Sequence, residues 1–209
     1  MPDIPPEDYE RSQALLGAGF AGVREFADLL ADQGELRGLI GPREIPRLWR
    51  RHVVNSAAVA QFLPDQGSVI DIGSGAGLPG VVLALMRPDL VFHLIEPMQR
   101  RVLWLNEVRD RLQLANVEVH AARAEQLHGE LIAEAVTARA VAPLQKLASW
   151  ALPLVRLNGS LLAMKGRRAP QEVSDALSIL TRHGATHIEI KDVDVFADGD
   201  VTKVVVIQR

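Results

Sequence analysis

The fold of this chain is indicated by residues 69–80, which read Val69-Ile70-Asp71-Ile72-Gly73-Ser74-Gly75-Ala76-Gly77-Leu78-Pro79-Gly80. An apolar run that enters a glycine-rich turn and then a helix lets backbone approach a ligand closely, because glycine tolerates unusual φ angles. About twenty residues later, residues 91–95 predict a second strand that ends at Glu96, whose carboxylate can accept hydrogen bonds from two ribose hydroxyls. The pattern predicts an adenosine-type cofactor at the carboxyl end of a parallel sheet.

Beyond this loop, short apolar runs alternate with helical stretches. Strands are predicted at residues 69–72, 91–95, 117–120, 133–136 and 160–164. This alternation is typical of βαβ units and of a parallel sheet buried on both faces. Near the C-terminus, residues 187–196 and 201–208 are strand-like, and the Asp198-Gly199 pair between them is a strong hairpin signal. The last strand is therefore expected to run antiparallel to its neighbour, at one edge of the sheet.

The segment that precedes the first strand has a helical pattern instead. Apolar residues recur at helical spacing over residues 23–30, and Pro46 can begin a further helix. We therefore predict two parts, an N-terminal helical extension over residues 1–66 and a cofactor-binding domain over residues 67–209.

Composition excludes several classes of protein. Of the 209 residues, 48% are apolar, which predicts a real hydrophobic core, and 23 basic against 26 acidic residues exclude a generally basic nucleic-acid binder. The absence of cysteine excludes a disulfide scaffold, a cysteine-ligated metal and a thiol nucleophile. The first eight residues are acidic and interrupted by proline, unlike a secretory signal. The most apolar stretch is too interrupted to span a bilayer, so we expect a cytoplasmic protein.

The glycine-rich loop is compatible with two cofactors. Residues 75–80 satisfy G-x-G-x-x-G, the dinucleotide fingerprint, and Glu96 stands at a suitable distance. Three features disfavour a dinucleotide: Asp71 would repel a pyrophosphate but attract an amino-acid ammonium, the terminal hairpin breaks the all-parallel topology, and little chain remains for a substrate domain. The frame Asp71-x-Gly73-x-Gly75-x-Gly77 matches S-adenosylmethionine methyltransferases instead.

Several further blocks carry a more specific resemblance. They are Arg51-His52-Val53-Val54-Asn55-Ser56, the loop with its Leu-Pro-Gly ending, Glu96 with Arg100-Arg101, Ala122-Arg123-Ala124-Glu125, Ala138-Arg139-Ala140-Val141-Ala142-Pro143-Leu144 and Met164-Lys165-Gly166. With these blocks the chain, from about Leu15 to its C-terminus, resembles the RsmG (GidB) family of small-subunit ribosomal RNA guanine-N7 methyltransferases. It departs from that family at Asn55, where aspartate is usual, and over residues 200–203, which lack an arginine that the family often carries.

The resemblance implies an α/β, Rossmann-like class I S-adenosylmethionine-dependent methyltransferase with a mostly parallel sheet, a C-terminal antiparallel hairpin strand and an N-terminal helical extension. It implies methyl transfer from S-adenosylmethionine to N7 of a guanine in 16S rRNA of the small subunit, by a monomer. The cofactor residues that it implies are Gly73, Gly75, Leu78, Glu96, Ala124, Glu125 and Arg139. Glu125 is expected at the adenine, and Arg139 at the methionine carboxylate or the RNA.

Candidate RNA contacts come from local clusters of basic residues. On an α-helix that follows Pro46, Arg47, Arg50 and Arg51 would share one face, while Trp49 and Val53 would pack into the core. Further contacts are expected around the cleft, at Arg100, Arg101, Arg123 and Lys165. No residue is assigned to catalysis with certainty, and Arg139 and Lys165 are the candidates.

The implied reaction requires no general base. Guanine N7 carries a free lone pair and the cofactor supplies an activated methyl, so catalysis reduces to alignment of the reacting atoms. The major groove of A-form RNA is too deep and narrow to admit a domain, so the target is expected to be unpaired, in a loop, or exposed during subunit assembly. His183 and His187 have the zincin spacing without its glutamate, and Phe196 and Ala197 break the calcium-loop pattern, so no metal is expected.

Three alternatives remain open. A methyltransferase of the same fold could act on a small molecule or a protein. A non-catalytic RNA-binding assembly factor could retain the fold. An NAD(P) oxidoreductase is disfavoured because the chain has no Tyr-x-x-x-Lys pair. Transfer of labelled methyl onto rRNA would separate these alternatives.

Overall fold

The computed structural model describes Ile4 and residues 6–209, and seven strands form one sheet at its centre. Part of the acidic N-terminal start therefore lies outside the described residues. The strands are β1 (Ser68–Ile72), β2 (Val91–Ile95), β3 (Val117–His120), β4 (Ala133–Arg139), β5 (Val155–Lys165), β6 (His187–Asp194) and β7 (Val201–Gln208). Their order in the sheet is β3-β2-β1-β4-β5-β7-β6, so the strand order reverses between β1 and β4. In sheets of this kind, ligands bind at such a switch point, beyond the carboxyl ends of the strands.

The expectation that the last strand lies at an edge is wrong. β7 lies between β5 and β6 and runs antiparallel to both, and β6 forms the edge. Burial explains this order: Val204, Val205 and Ile207 of β7 are fully buried, whereas every residue of β6 is exposed or half-buried. A strand that is apolar on both faces needs neighbours on both sides, while a partly exposed strand tolerates an edge.

Six α-helices surround the sheet within the described residues. They are α1 (Pro6–Leu16), α2 (Phe20–Gln33), α3 (Gly80–Met86), α4 (Gln99–Arg111), α5 (Leu144–Ala151) and α6 (Ala169–Arg182). One sheet face packs against α2, α3, α4 and the segment before β1, around Phe26, Trp49 and Trp104. The other face packs against α5 and α6. None of the helices in the described part of the chain has the length and apolar character to cross a membrane.

The segment between α2 and β1 is helical but is not the α-helix that the sequence predicts. It consists of a 3-10 turn (Pro42–Arg47), a π-helix (Leu48–Val54) and a second 3-10 turn (Ala57–Phe62). Pro46 lacks an N–H donor and its ring restricts the preceding turn, which disfavours regular α-helix here. The division of the chain after residue 66 stays a prediction.

Candidate active site

The glycine-rich loop is held against the end of β2 by its own backbone. The N–H groups of Gly73 and Ser74 both donate to the carbonyl of Ile95, at 2.8 and 3.1 Å. Gly73 has a φ of +66°, and a Cβ atom there would lie 2.9 Å from a methyl of Val141. Only glycine fits this position. The loop therefore lies directly against the segment that follows β4.

The expectation that Asp71 attracts the cofactor ammonium is wrong. Its side chain is fully buried, with one oxygen accepting from the Thr137 hydroxyl at 3.0 Å and the other from the Gly80 N–H at 3.1 Å. Burial raises the pKa of Asp71 to about 6, against the hydrogen bonds that lower it. Because α3 begins at Gly80, Asp71 fixes the turn between β1 and α3 rather than meeting a ligand.

Glu96 faces the loop as the sequence predicts. Only 2% of it is exposed, and its carboxylate accepts hydrogen bonds from the N–H of Gly75 at 3.0 Å and of Met98 at 2.9 Å. The guanidinium of Arg101, which the sequence assigns to RNA, lies 3.7 Å from the same carboxylate. The Arg101 Nε is buried and has no hydrogen-bond partner among the described residues.

This corner of the loop has the features of an adenosine-type site. A Cβ atom at Gly75 would enter the space between the Gly73 carbonyl, Arg101 and Glu96, at 3.5, 3.7 and 4.0 Å. The Glu96 carboxylate can accept hydrogen bonds from the hydroxyls of a ribose, and the buried Arg101 Nε can donate one. Because Gly75 has no side chain, a ribose can approach the backbone there. The residues present therefore fit the cofactor that the loop pattern predicts.

Trp104 on α4 is a support that the sequence analysis missed. Its indole N–H donates to the Ala76 carbonyl at 3.0 Å, and the side chain is buried. The Arg37 guanidinium lies 5.3 Å from the centre of its ring. The only sequence signal is a tryptophan within a strongly charged helix, which does not reveal a contact with a loop 28 residues earlier.

The ends of β2 and β3 bring the other predicted cofactor residues to the same edge of the sheet. The Glu96 N–H donates to the His120 carbonyl at 3.0 Å, and the short 3-10 turn Ala124–Leu127 follows β3. Ala124 is buried there and Glu125 is exposed. Of the remaining residues in this region, Leu78 is half-buried, and Arg100 and Arg123 are exposed.

On the other side of the switch point a cavity of about 910 Å³ opens beyond the ends of β4 and β5. Its walls come from the segments after these strands, the β6–β7 hairpin and the N-terminal helical segment. The six basic side chains in the lining outnumber the two acidic ones; they are Arg51, Arg139, Lys165, Arg167, Arg168 and Lys203, against Glu172 and Asp200. The cavity is large enough for a nucleobase and is suited to an anionic substrate.

Arg139 joins the sheet to the N-terminal helical segment. Its guanidinium donates four hydrogen bonds, to the carbonyl (2.8 Å) and Nδ1 (2.8 Å) of His52, to the Ser56 hydroxyl (3.1 Å) and to the Arg51 carbonyl (3.1 Å). Burial, reinforced by the nearby charge of Arg51, lowers the pKa of Arg139 to about 10. His52 Nδ1 accepts from Arg139, so its Nε2 donates to Glu44 at 2.7 Å. Arg139 thus forms part of the cavity wall with its orientation fixed.

Lys165, which the sequence assigns to RNA contact, is mostly buried and paired within the protein. Only 10% of its side chain is exposed, and its ammonium donates to the Ala142 carbonyl at 2.6 Å and to Glu172 at 2.8 Å. Glu172 also accepts the N–H of Leu144, the first residue of α5, at 2.9 Å. Lys165 therefore orders the 140–144 segment of the cavity wall, and a phosphate would have to compete with two protein acceptors.

The predicted face of three arginines does not exist as such. Because the backbone there is 3-10 and π-helical, Arg47, Arg50 and Arg51 do not share an α-helical face. The Arg50 guanidinium is paired with Asp8, which is buried, and with Asp198 at 2.9 Å. Arg47 and Arg51 are exposed, and Arg51 lies in the cavity wall.

Arg50 instead connects three segments of the chain. It lies 4.5 Å from the centre of the Phe196 ring, and its two carboxylate partners come from α1 and from the β6–β7 hairpin. Hydrogen bonding to Asp8 raises the pKa of Arg50. Trp49 and Val53 are buried, as predicted.

The two departures from the family pattern meet in the structure. The amide of Asn55 donates to the hydroxyl of Thr202, and both residues line the cavity. Thr202 lies within the segment that lacks the family's arginine. A hydrogen bond between two uncharged side chains, Asn55 and Thr202, therefore connects the N-terminal segment to β7.

Comparisons with known proteins give a consistent result. Residues 20–195 match the family model of rRNA small subunit methyltransferase G (GidB). The chain is 60% identical over 198 residues to a ribosomal RNA small subunit methyltransferase G from Beutenbergia cavernae, covering 95% of this chain and 93% of that protein. It is 54% identical over 179 residues to the protein of the same name from Thermobifida fusca, covering 86% and 75%.

The fold is also similar to solved structures. A SAM-dependent O-methyltransferase from Thermotoga maritima superimposes with a TM-score of 0.59 at 16% identity, covering 79% of this chain and 69% of that one. This likeness shows a class I methyltransferase fold, as the sequence predicts.

Proposed function

Because this chain belongs to the family of rRNA small subunit methyltransferases G, we propose that it transfers a methyl group to N7 of a guanine in 16S rRNA of the small ribosomal subunit. It is a methyltransferase, and its methyl donor is S-adenosylmethionine. The observation that carries the choice of substrate is the basic cavity beside the glycine-rich loop, with six basic side chains against two acidic ones. A chain with a net charge of −3 needs such a local concentration of basic residues to attract RNA.

The cofactor is proposed to lie along the ends of β1, β2 and β3. Glu96 holds the ribose hydroxyls, because its carboxylate is already oriented by two backbone N–H groups. Gly73, Gly75 and Leu78 form the wall beside the methionine and ribose, and Ala124 and Glu125 contact the adenine. When bound, S-adenosylmethionine supplies an activated methyl group.

The guanine is proposed to enter the cavity between the 140–144 segment, the hairpin and Arg51. Arg139 acts there as a positioning residue, since its hydrogen bonds hold the N-terminal segment against β4. Lys165 positions the 140–144 segment through Ala142 and Glu172. N7 needs no proton removed, so these residues contribute orientation rather than acid–base chemistry.

The proposed domain division gives each part a task. Residues 67–209 hold the cofactor, and the helical extension of residues 1–66 completes the cavity with Arg51 and Asn55. RNA phosphates are proposed to contact Arg47, Arg51, Arg100 and Arg123, which are exposed. Arg101 is proposed to turn towards the cofactor ribose or the RNA. We propose that the enzyme acts in the cytoplasm as a monomer.

Labelled methyl transfer tests this function directly. The protein is incubated with labelled S-adenosylmethionine and either intact small subunits or naked 16S rRNA from a strain that lacks the modification. The product is cleaved by the reduction and aniline treatment that acts at N7-methylguanosine, and the stop is mapped. A single stop at an unpaired guanine is expected. Label on protein, or no label while the RNA still binds, would favour the same-fold methyltransferase or the assembly factor.

A further inference from the structure

Two histidines and a glutamate converge on one face of the sheet, at strands β2 and β3 and outside the lining of the basic cavity. His93 lies in β2, and Glu118 and His120 lie in β3. In the parallel register His93 is opposite Glu118, and His120 is two residues further along β3. Side chains alternate along a strand, so all three project from the same face.

The three ligand atoms form a triangle of the size that a tetrahedral metal ion requires. His93 Nδ1 lies 3.1 Å from His120 Nε2 and 3.3 Å from Glu118 Oε2, and the latter two atoms are 3.9 Å apart. Zinc bound to imidazole nitrogen and carboxylate oxygen at about 2.0–2.1 Å places its ligands about 3.3 Å from one another. The two distances from His93 Nδ1, to His120 Nε2 and to Glu118 Oε2, already match this spacing within about 0.2 Å. Rotation of the Glu118 side chain can shorten the third distance, between Glu118 Oε2 and His120 Nε2.

Burial suits a site that is ordered on the inside and open on the outside. The exposed fractions of the side chains are 12% for His93, 27% for His120 and 63% for Glu118. The strands therefore fix the two imidazoles, while the carboxylate can move to complete the ligand set. A water molecule from the solvent side is expected as the fourth ligand.

A single N–H shared between the two rings accounts for their contact. Two ring nitrogens 3.1 Å apart share one N–H donor and one lone pair. An ion that replaces this proton needs lone pairs on both nitrogens. The proton then moves to the other nitrogen of the donating ring, so two neutral histidines bind the ion without net proton release.

We propose that His93, Glu118 and His120 bind one transition-metal ion of the Zn²⁺ class. Two imidazole nitrogens and one carboxylate favour Zn²⁺, Co²⁺ or Ni²⁺ over Mg²⁺ and Ca²⁺, which prefer oxygen ligands. None of the three residues lines the basic cavity. The ion therefore links β2 to the edge strand β3, outside the basic cavity.

This proposal differs from the sequence-based expectation that the protein binds no metal. That expectation rested on patterns within short segments, whereas these ligands come from two strands and lie up to 27 residues apart. Only the register between β2 and β3 brings them together.

The test is metal binding to the full chain, prepared without a polyhistidine tag and treated with a chelator. Zn²⁺ is titrated by calorimetry, and Co²⁺ by visible absorption, whose intensity distinguishes tetrahedral from octahedral cobalt. One equivalent of Zn²⁺, a tetrahedral-type cobalt spectrum and a rise in melting temperature with Zn²⁺ but not Mg²⁺ are expected. No saturable Zn²⁺ binding, or an octahedral-type cobalt spectrum, overturns the proposal.

Variants distinguish this site from adventitious binding. Glu118→Gln and His120→Gln should each weaken Zn²⁺ binding by at least about tenfold, since even partners outside the ligand set change affinity by that factor. Glu118 is mostly exposed, so its variant should fold even if a histidine variant does not. The matched control is His187→Gln, an exposed histidine 3.8 Å from Glu189 on the edge strand β6. If the control loses binding while Glu118→Gln retains it, the ion binds elsewhere and the proposal is wrong.

Discussion

The two sides of the strand-order reversal are built in different ways. Around the glycine-rich loop, Glu96 and Gly73 are fixed by backbone N–H groups and carbonyls of residues that adjoin the neighbouring strand ends. In the cavity wall, Arg139 is fixed by a segment more than 80 residues earlier, and Lys165 is fixed by Glu172 of α6 and by the carbonyl of Ala142. The first side therefore depends on local backbone geometry, and the second on the docking of separate segments.

The largest expected effect follows from removing the Arg139 guanidinium, which holds the N-terminal segment against the cavity wall. Arg139→Gln removes the guanidinium that holds the Arg51 and His52 carbonyls, so the cavity wall should shift relative to the cofactor. A misplacement of about 1 Å can cost about 100-fold in rate, and we expect a fall in kcat of that order. The measurement is methyl transfer at saturating cofactor, together with affinity for S-adenosylhomocysteine.

Arg139→Lys is the matched variant for this effect, because it keeps the charge but cannot reproduce four directed hydrogen bonds. It should remain well below wild-type activity. Full activity in the lysine variant would mean that charge alone matters at this position. Loss of S-adenosylhomocysteine affinity in both variants would place Arg139 at the cofactor, as the family resemblance implies.

A substitution beside the glycine-rich loop should instead lower the affinity for the cofactor. Glu96→Gln removes the charge that accepts the ribose hydroxyls, and a hydrogen bond to a charged group contributes about 1.5–3 kcal/mol, or about 10- to 100-fold in binding. The ribose does not react, so kcat at saturating cofactor should change little. Calorimetry with S-adenosylhomocysteine measures the first quantity and saturation kinetics the second. A collapse of kcat with unchanged affinity would contradict this assignment.

The same contrast explains what the sequence could and could not predict. The bounds of β2 and β7, the glycine-rich loop and the place of Glu96 follow from short patterns, because turn and strand chemistry act between near neighbours. The position of β7 inside the sheet depends on which hairpin strand buries both faces, and a hairpin signal does not encode that choice. The pairing of Arg50 with Asp8 and Asp198 depends on three segments meeting, which no spacing along the chain reveals.

A smaller effect on RNA binding is expected from Arg51, an exposed residue of the cavity wall. Arg51 is 61% exposed in the cavity wall, so Arg51→Gln should raise the KM for RNA a few-fold and reduce the salt slope of binding by about 1, with little change in stability. Arg50→Gln is the matched comparison one residue away. It leaves the buried Asp8 without its partner and should destabilise the protein by about 1–3 kcal/mol.

Melting temperature and salt-dependent RNA binding together separate the two arginines. If Arg51→Gln lowers the melting temperature as much as Arg50→Gln, then Arg51 also holds separate segments of the chain together. If neither variant changes the salt slope, the phosphates are held by residues on the opposite side of the cleft, such as Arg100 and Arg123.

The smallest expected effect concerns the contact between Asn55 and Thr202, where this chain departs from its family. Asn55→Asp alone would remove the amide that donates to Thr202, and Thr202→Arg alone would add a seventh arginine or lysine to an already basic cavity. Introduced together, the two side chains can form an ion pair across the same gap. The double variant should therefore be more stable than the sum of the single variants predicts, by about 0.5–1 kcal/mol, measured as a coupling energy in chemical denaturation. A coupling energy of zero would mean that the two departures are energetically independent.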